Sequence, residues 1–228
     1  ADLEGATFDT VVLSQADLRG TRLPRGLTKV VLDEAKLGSV AEGGGGDVSG
    51  TSIEGAALDH TDFSNMVLDG CSFRGVSLRG AVFRGSTLRA SSFVGCDLEG
   101  ADLREAQIEN TVFYQASLRG ADLSGRHIKL TIFRAADLTD AKLVAAKLEL
   151  CVLDEAKLVG ADLTDAAIIS GTMRRAEISR ASVVRTRFER VDFESVALDG
   201  VSLAGLSLVR CRFSNVELSN RDFSRCDL

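Results

Sequence analysis

From Ile53 onward a large apolar residue returns every fifth position: Leu58, Phe63, Leu68, Phe73, Leu78, and on to Leu228, 36 in succession. Each is Leu, Ile, Val, Met or Phe. Two positions before each such centre stands a small residue, most often Ala, as in Ala101, Ala116, Ala121, Ala136, Ala141, Ala156 and Ala161. The residue between the two is usually polar, as in Asp97, Asp102, Asp122, Asp137 and Asp162. A small-polar-large triplet is strand-like alternation, with two side chains inward and one outward. The remaining two residues, often a polar residue and Gly, turn the chain before the next triplet. A helix is excluded, because a period of five drifts steadily around a turn of about 3.6 residues.

The phenylalanines set the number of sides in one coil. All eleven occupy centres, and Phe73, Phe93, Phe113, Phe133, Phe193 and Phe213 are separated by multiples of 20. Twenty residues is four beats, so these six stack on one side of a square coil. Their small partners include Cys71, Ser91, Thr111, Thr131 and Cys151, whereas another side carries Ala101, Ala121, Ala141, Ala161 and Ala181. Compact residues beside bulky Phe are the volume compensation that a filled interior requires. The predicted architecture is an all-β solenoid whose coils contact only their neighbours.

The beats ADLEG (1–5), ADLRG (16–20), ADLRE (101–105), ADLSG (121–125) and ADLTD (161–165) are A(D/N)LXX repeats. They resemble the pentapeptide-repeat family, and the resemblance covers nearly the whole chain. It implies a right-handed quadrilateral β-helix, here of about 11 coils, and it says little about function. The expected organisation is a single domain over 1–228: two less regular coils in 1–37, a Gly-rich loop excursion over 38–52, and nine regular coils over 53–228. The run AEGGGGDVSG (41–50) carries the loop reading, since consecutive glycines favour flexible chain.

Composition narrows the functions. The chain has 228 residues, a net charge of −6, no Trp and one Pro. It lacks the clustered basic surface of a nucleic-acid binder, and no apolar run approaches the roughly 20 residues of a membrane helix. Cys71, Cys96, Cys151, Cys211 and Cys226 all fall in the small inward slot, where they act as core fillers. The same-column pair Cys151 and Cys211 lies three coils apart, roughly 14 Å by strand spacing, too far for a disulfide. Five free thiols suit a reducing compartment, so the expected location is the cytoplasm; the resemblance leaves an organellar lumen as the alternative. The cysteine spacings match no zinc motif, and no metal or cofactor is expected. His60 stands at a turn and His127 on an outward position, and a filled rod offers neither a catalytic cleft. The chain is therefore expected not to be an enzyme.

Two interaction readings remain. In the first, the chain is a protein-binding scaffold. On the Phe-rich side the outward position turns apolar in three successive coils at Val112, Ile132 and Val152. The corner before it carries Leu130 and Leu150, and Tyr114 follows Phe113. These six residues form a candidate apolar patch, and clustered apolar surface with an aromatic marks interfaces. β-propensity alone accounts for the valines but not for leucines at turn corners. Arg126 occupies a slot where its neighbours carry Ala; an unpaired buried guanidinium is costly, so a local bulge or an outward-reaching side chain is expected.

In the second reading, the resemblance implies a DNA-mimicking modulator of a type II topoisomerase, DNA gyrase, because the family includes quinolone-resistance proteins that resemble B-form DNA. One column supplies Asp62, Asp102, Asp122, Asp162 and Asp222, interrupted by Val82 and Lys142, and Arg74, Arg79, Arg84 and Arg89 ring one coil with positive charge. Residues 171–228 hold ten Arg against eight carboxylates. The chain opens mid-pattern and stops on a centre residue, so it is read as part of a larger protein or assembly, with end-to-end association or a dimer through an uncapped coil end as a further expectation.

Overall fold

The structure is a computed structural model, and it describes residues 8–18, 26–28, 49–50, 52–54 and 56–228. Among these residues there is no helix, and every strand pairing is parallel. The chain winds as a four-sided β-solenoid. Its sides are named here by their first regular centres: side one from Ile53, side two from Leu58, side three from Phe63 and side four from Leu68.

Side one carries a five-stranded sheet of β1 (Phe8–Asp9), β2 (Gly26–Thr28), β3 (Ser52–Glu54), β4 (Ser72–Arg74) and β5 (Ser92–Val94). Side four carries β6 (His127–Lys129), β7 (Lys147–Glu149), β8 (Ala167–Ile169), β9 (Arg187–Glu189) and β10 (Ser207–Val209). The register from β3 onward is a shift of twenty: Phe73 pairs with Phe93, and Leu148 with Ile168. Single bridges continue the same shift on the other sides, as in Asp102↔Asp122 and Val112↔Ile132. Phe8 pairs with Leu27, a shift of nineteen, which places the residue missing from the less regular coils between them.

The regular part makes about eight turns. The sequence count of about 11 coils is higher because it includes stretches before residue 56 that lie partly outside the described residues. Most of the expected 38–52 loop lies outside them too; of that span, the Gly50 amide already donates to Asp69 O (2.9 Å), and Ser52 begins β3.

The interior is filled as the five-residue beat requires. Centres and small residues are buried from Ile53 to Leu208 with few exceptions, and outward residues are half-buried or exposed. Phe73, Phe93, Phe113 and Phe133 stack face to face at centroid separations of 4.7, 5.1 and 5.2 Å. Phe63 and Phe83 stack on side three at 4.9 Å, and Phe83 meets Phe93 of side one edge-on across the interior. Offset and edge-on ring pairs add to area burial.

The small slots do more than save space. The Ser91 and Thr111 hydroxyls donate to the carbonyls of Leu68 and Leu88, each at 2.6 Å, and Thr186 donates to Leu163 O at 2.7 Å. The Cys96 and Cys151 thiols reach Phe73 O and Ile128 O in the same way. Each bond ties an inward side chain to a centre carbonyl of the preceding coil, 23 residues back.

Every fifth residue turns the corner in the left-handed region, whatever its type: Gly100 has φ +67°, Arg175 +56° and Leu150 +56°. The outward Asp explains how the corner is held. Its carboxylate accepts the amide two residues on, at the first corner position: Ser64 N to Asp62 (2.9 Å), Ser124 N to Asp122 (3.0 Å), Thr139 N to Asp137 (2.9 Å) and Thr164 N to Asp162 (3.0 Å). This Asx turn is the physical reason for Asp in the repeat.

Truncating one stacked ring leaves a void that two neighbouring coils cannot refill. Phe113→Ala is expected to cost about 3–5 kcal/mol, whereas Arg119→Ala, which removes an exposed pair to Asp137, costs under about 1 kcal/mol. Chemical denaturation of the two variants checks the contrast.

Candidate interaction surface

The ladder brings the predicted apolar residues together. Val112, Ile132 and Val152 are successive partners in one bridge column on side one. Ile132 N donates to Thr111 O (2.9 Å) and Val152 N to Thr131 O (3.0 Å), so their side chains are held in a vertical row. Leu130 and Leu150 occupy the same corner in adjacent coils, between side four and side one. Tyr114 stands beyond Phe113, and its carbonyl accepts the Gly95 amide (2.9 Å).

Exposure within the group is uneven. Leu130 and Leu150 are each 50% exposed, Ile132 37% and Tyr114 36%, while Val112 and Val152 are half-buried. Among the described residues, the other exposed large apolar side chains, Val12, Val184 and Leu228, lie on other sides or outside the regular stack. Four of the seven therefore fall on one patch. Its rim is polar: Ser92 and Thr172 continue the column below and above, Asn110 and Ser170 continue the corner, and Arg134 beside Tyr114 is paired with Glu155 (3.1 Å).

The two corner leucines carry a backbone cost as well as exposure. Leu130 and Leu150 sit at φ +50° and +56°. This region suits Gly and Asn and is unfavourable for a branched apolar side chain. Their presence is therefore not explained by the turn.

The charged surface is largely self-paired. Arg79 reaches Asp97 (3.2 Å) and Glu99 (2.7 Å), Arg84 reaches Asp102 (2.7 Å), Arg119 reaches Asp137 (3.2 Å) and Arg174 reaches Asp192 (3.1 Å). In each of these cases an Arg after one centre meets the outward Asp one coil later. Arg104 adds a second cation to Asp102 and approaches Asp122. Hydrogen bonds from the Arg104 and Arg84 guanidinia hold the Asp102 carboxyl well below the usual carboxylate range. The ring of Arg74, Arg79, Arg84 and Arg89 is thus not an isolated positive band, since Arg79 and Arg84 meet carboxylates and Arg89 bonds Gln107 and approaches Asp69 (4.0 Å).

The cysteines form no disulfide, and burial pushes the Cys96 and Cys151 thiols up to about 11. They are protonated at neutral pH and unsuited to nucleophilic or ligand roles. Among the described residues no group of His, Cys, Asp and Glu could hold a metal ion, and no helix is long and apolar enough to cross a membrane. His127 pairs with Glu149 (3.0 Å). Arg126 is half-buried rather than inward, with Nε donating to Ser124 O (3.3 Å), as the cost of burying its charge requires. Arg221 is likewise half-buried, 3.9 Å from Asp199.

Comparisons with known proteins agree with this geometry. The family described as pentapeptide repeat region matches residues 67–143, and the pentapeptide repeats (8 copies) family matches 131–166 and 192–228. The chain belongs to the pentapeptide-repeat family. Among solved structures it is similar to full-length QnrB1, a plasmid-mediated fluoroquinolone resistance protein. The TM-score is 0.62 with 20% identity over 83% of this chain and 94% of that one. A trypsin-treated form of QnrB1 matches with a TM-score of 0.56 and 18% identity over 91% of this chain and 93% of that one. These likenesses show the fold. No curated protein matches the chain.

If the corner leucines serve the surface and not the fold, replacing one with a residue suited to the left-handed region is harmless. Leu150→Asn is expected to leave stability unchanged or raise it by up to about 1 kcal/mol. A loss larger than that in thermal denaturation would assign Leu150 to the fold.

Proposed function

We propose that the chain is a non-catalytic interaction module, a rigid rod that presents the patch of Val112, Tyr114, Leu130, Ile132, Leu150 and Val152 to a protein partner. The observation that carries this reading is the gathering of four of the seven exposed large apolar side chains onto three successive rungs, two of them at corners where leucine is conformationally disfavoured. The stacked core and the rung-to-rung backbone bonds hold these side chains in place before binding, so little ordering is needed on association. The partner is a protein with a complementary apolar surface; nucleic acid and membrane are not its targets. Thiols outside any disulfide suit a reducing compartment, which supports a cytoplasmic location.

A second reading, modulation of DNA gyrase, draws on the likeness in fold to the fluoroquinolone resistance protein QnrB1 and on the neighbouring carboxylates of Asp102 and Asp122 on side three. It is weaker because Asp97, Asp102, Asp137 and Asp192 already meet arginines. A DNA imitator needs unpaired negative charge in register.

The two readings part in experiment. A pull-down with mass spectrometry using the wild-type chain and the double variant Ile132→Asp, Leu150→Asp is expected to show a partner retained by the first and lost by the second, with equal thermal midpoints. Equal capture by both discards the patch. Inhibition or protection of gyrase supercoiling by the wild-type chain, unaffected by the double variant, would favour the second reading.

A further inference from the structure

On side four the backbone ladder follows one rule until it meets Arg126. The amide of each centre donates to the outward residue one coil on, as Leu88 N does to Gln107 O (2.9 Å). The amide of each outward residue donates back to the small residue of the coil before, as Gln107 N does to Ser86 O (2.8 Å) and Lys147 N to Arg126 O (2.7 Å). Between the rungs at 106–109 and 126–129 both bonds are missing among the described residues. Ile108 N does not reach His127 O, His127 N does not reach Ala106 O, and Gln107 and His127 are not bridged. Pairing resumes two positions later at Glu109↔Lys129, with Lys129 N donating to Ile108 O (3.3 Å) and Asn110 N to Lys129 O (2.9 Å).

The cause is in the sequence. Arg126 stands in the column of Ser86, Ala106, Ala146 and Ala166; the column buries the larger Met66 and Leu206 nearer its ends, but an unpaired guanidinium is too costly to bury there. The guanidinium cannot be housed within and leaves between the rungs, prising them apart. The gap opens as a cleft of about 280 Å³ whose lining includes Arg89, Gln107, Glu109, Arg126, His127 and Lys129. Arg89 is engaged with Gln107 and Asp69, and His127 with Glu149. Among the described residues, Arg126 and Lys129 form no ion pair; the cleft lining holds one carboxylate, Glu109, and Glu149 stands across the next rung from Lys129.

The opened ladder leaves a distinctive set of groups. Two amides, of Ile108 and His127, face the gap from opposite rungs. So do two carbonyls, of Ala106 and His127. Cations and N–H donors call for an oxyanion. Unmet carbonyls call for a proton donor, since polar groups in a cleft are costly when unpaired. Phosphate in its protonated forms offers both at neutral pH, with negative oxygens and a P–OH. Sulfate, of similar size and charge, has no proton to give.

We propose that the cleft opened by Arg126 is a binding site for a protonated phosphate group. The inference stands apart from the apolar patch, which begins at the next corner, Leu130. It also accounts for why an arginine stays in a slot that an alanine would fill without breaking the ladder.

The test is isothermal titration of the whole chain with inorganic phosphate, and with sulfate at equal ionic strength, near neutral pH. Phosphate is expected to bind at least about tenfold more tightly than sulfate, the discrimination expected when a hydrogen-bonding site meets a ligand lacking the proton. Arg126→Ala is expected to lose phosphate binding while its thermal midpoint rises, because the rungs can close. Lys129→Gln, which leaves the interior untouched, is expected to weaken binding at an unchanged midpoint. Equal binding of phosphate and sulfate, absence of phosphate binding, or undiminished binding by Arg126→Ala would each overturn the proposal.

Discussion

The structure depends on one requirement: each coil must return above its starting point after twenty residues, so that its backbone amides and carbonyls meet those of the coil below. Turn bonds and Asp–amide bonds satisfy some of these groups at the corners, but most depend on the neighbouring coil, since among the described residues there is no helix and each strand is three residues or fewer. Backbone polar groups enclosed in a rod are too costly to leave unmet. The five-residue beat solves this by giving each side the same length and each corner the same bend. Identical sides also place identical slots above one another, which is why Phe can stack on Phe through four consecutive coils.

The surface obeys the same geometry. Because side chains recur in columns, an Arg after one centre and an Asp before the centre one coil later become neighbours, and the rod neutralises much of its own charge. Such exposed pairs contribute little stability each. Their larger effect is on recognition: they remove the unbalanced fields that would draw a charged partner, and leave apolar departures as the distinguishing marks. The Val112 to Leu150 group is such a departure on side one, and the opened rungs beside Arg126 are another on side four.

Much of this was legible from residue order. The multiples of twenty among the phenylalanines led directly to the side-one stack, and the inward position of the cysteines led to thiols outside any disulfide, of which Cys71, Cys96 and Cys151 are buried. The six patch residues could be placed on neighbouring rungs because the same register governs outward positions. Side-chain bonding was less legible. The Asp before each centre reads only as polar, whereas it holds the corner through the amide two residues on. The hydroxyls of Ser91 and Thr111 read as compact fillers, whereas they also bond a carbonyl 23 residues earlier. Arg126 stood out at once as too large for its slot. That the misfit would be relieved by parting two rungs, and not by a bulge confined to one, follows from backbone bonds that residue types do not encode. The count of about 11 coils takes in stretches before residue 56 that break the beat, whereas the regular part makes about eight turns.

The parted rungs have a mechanical meaning. The side-four sheet begins directly above them, while the side-one sheet ends one coil below, at Val94. In a linear stack, cohesion between segments is the sum of what each rung shares with the next, and here one edge of that seam is missing two bonds. A pulling force along the axis, or a rare thermal opening, would concentrate at this seam. The rod is then best pictured as two stiff blocks meeting at a crease, with side four as the edge that yields first.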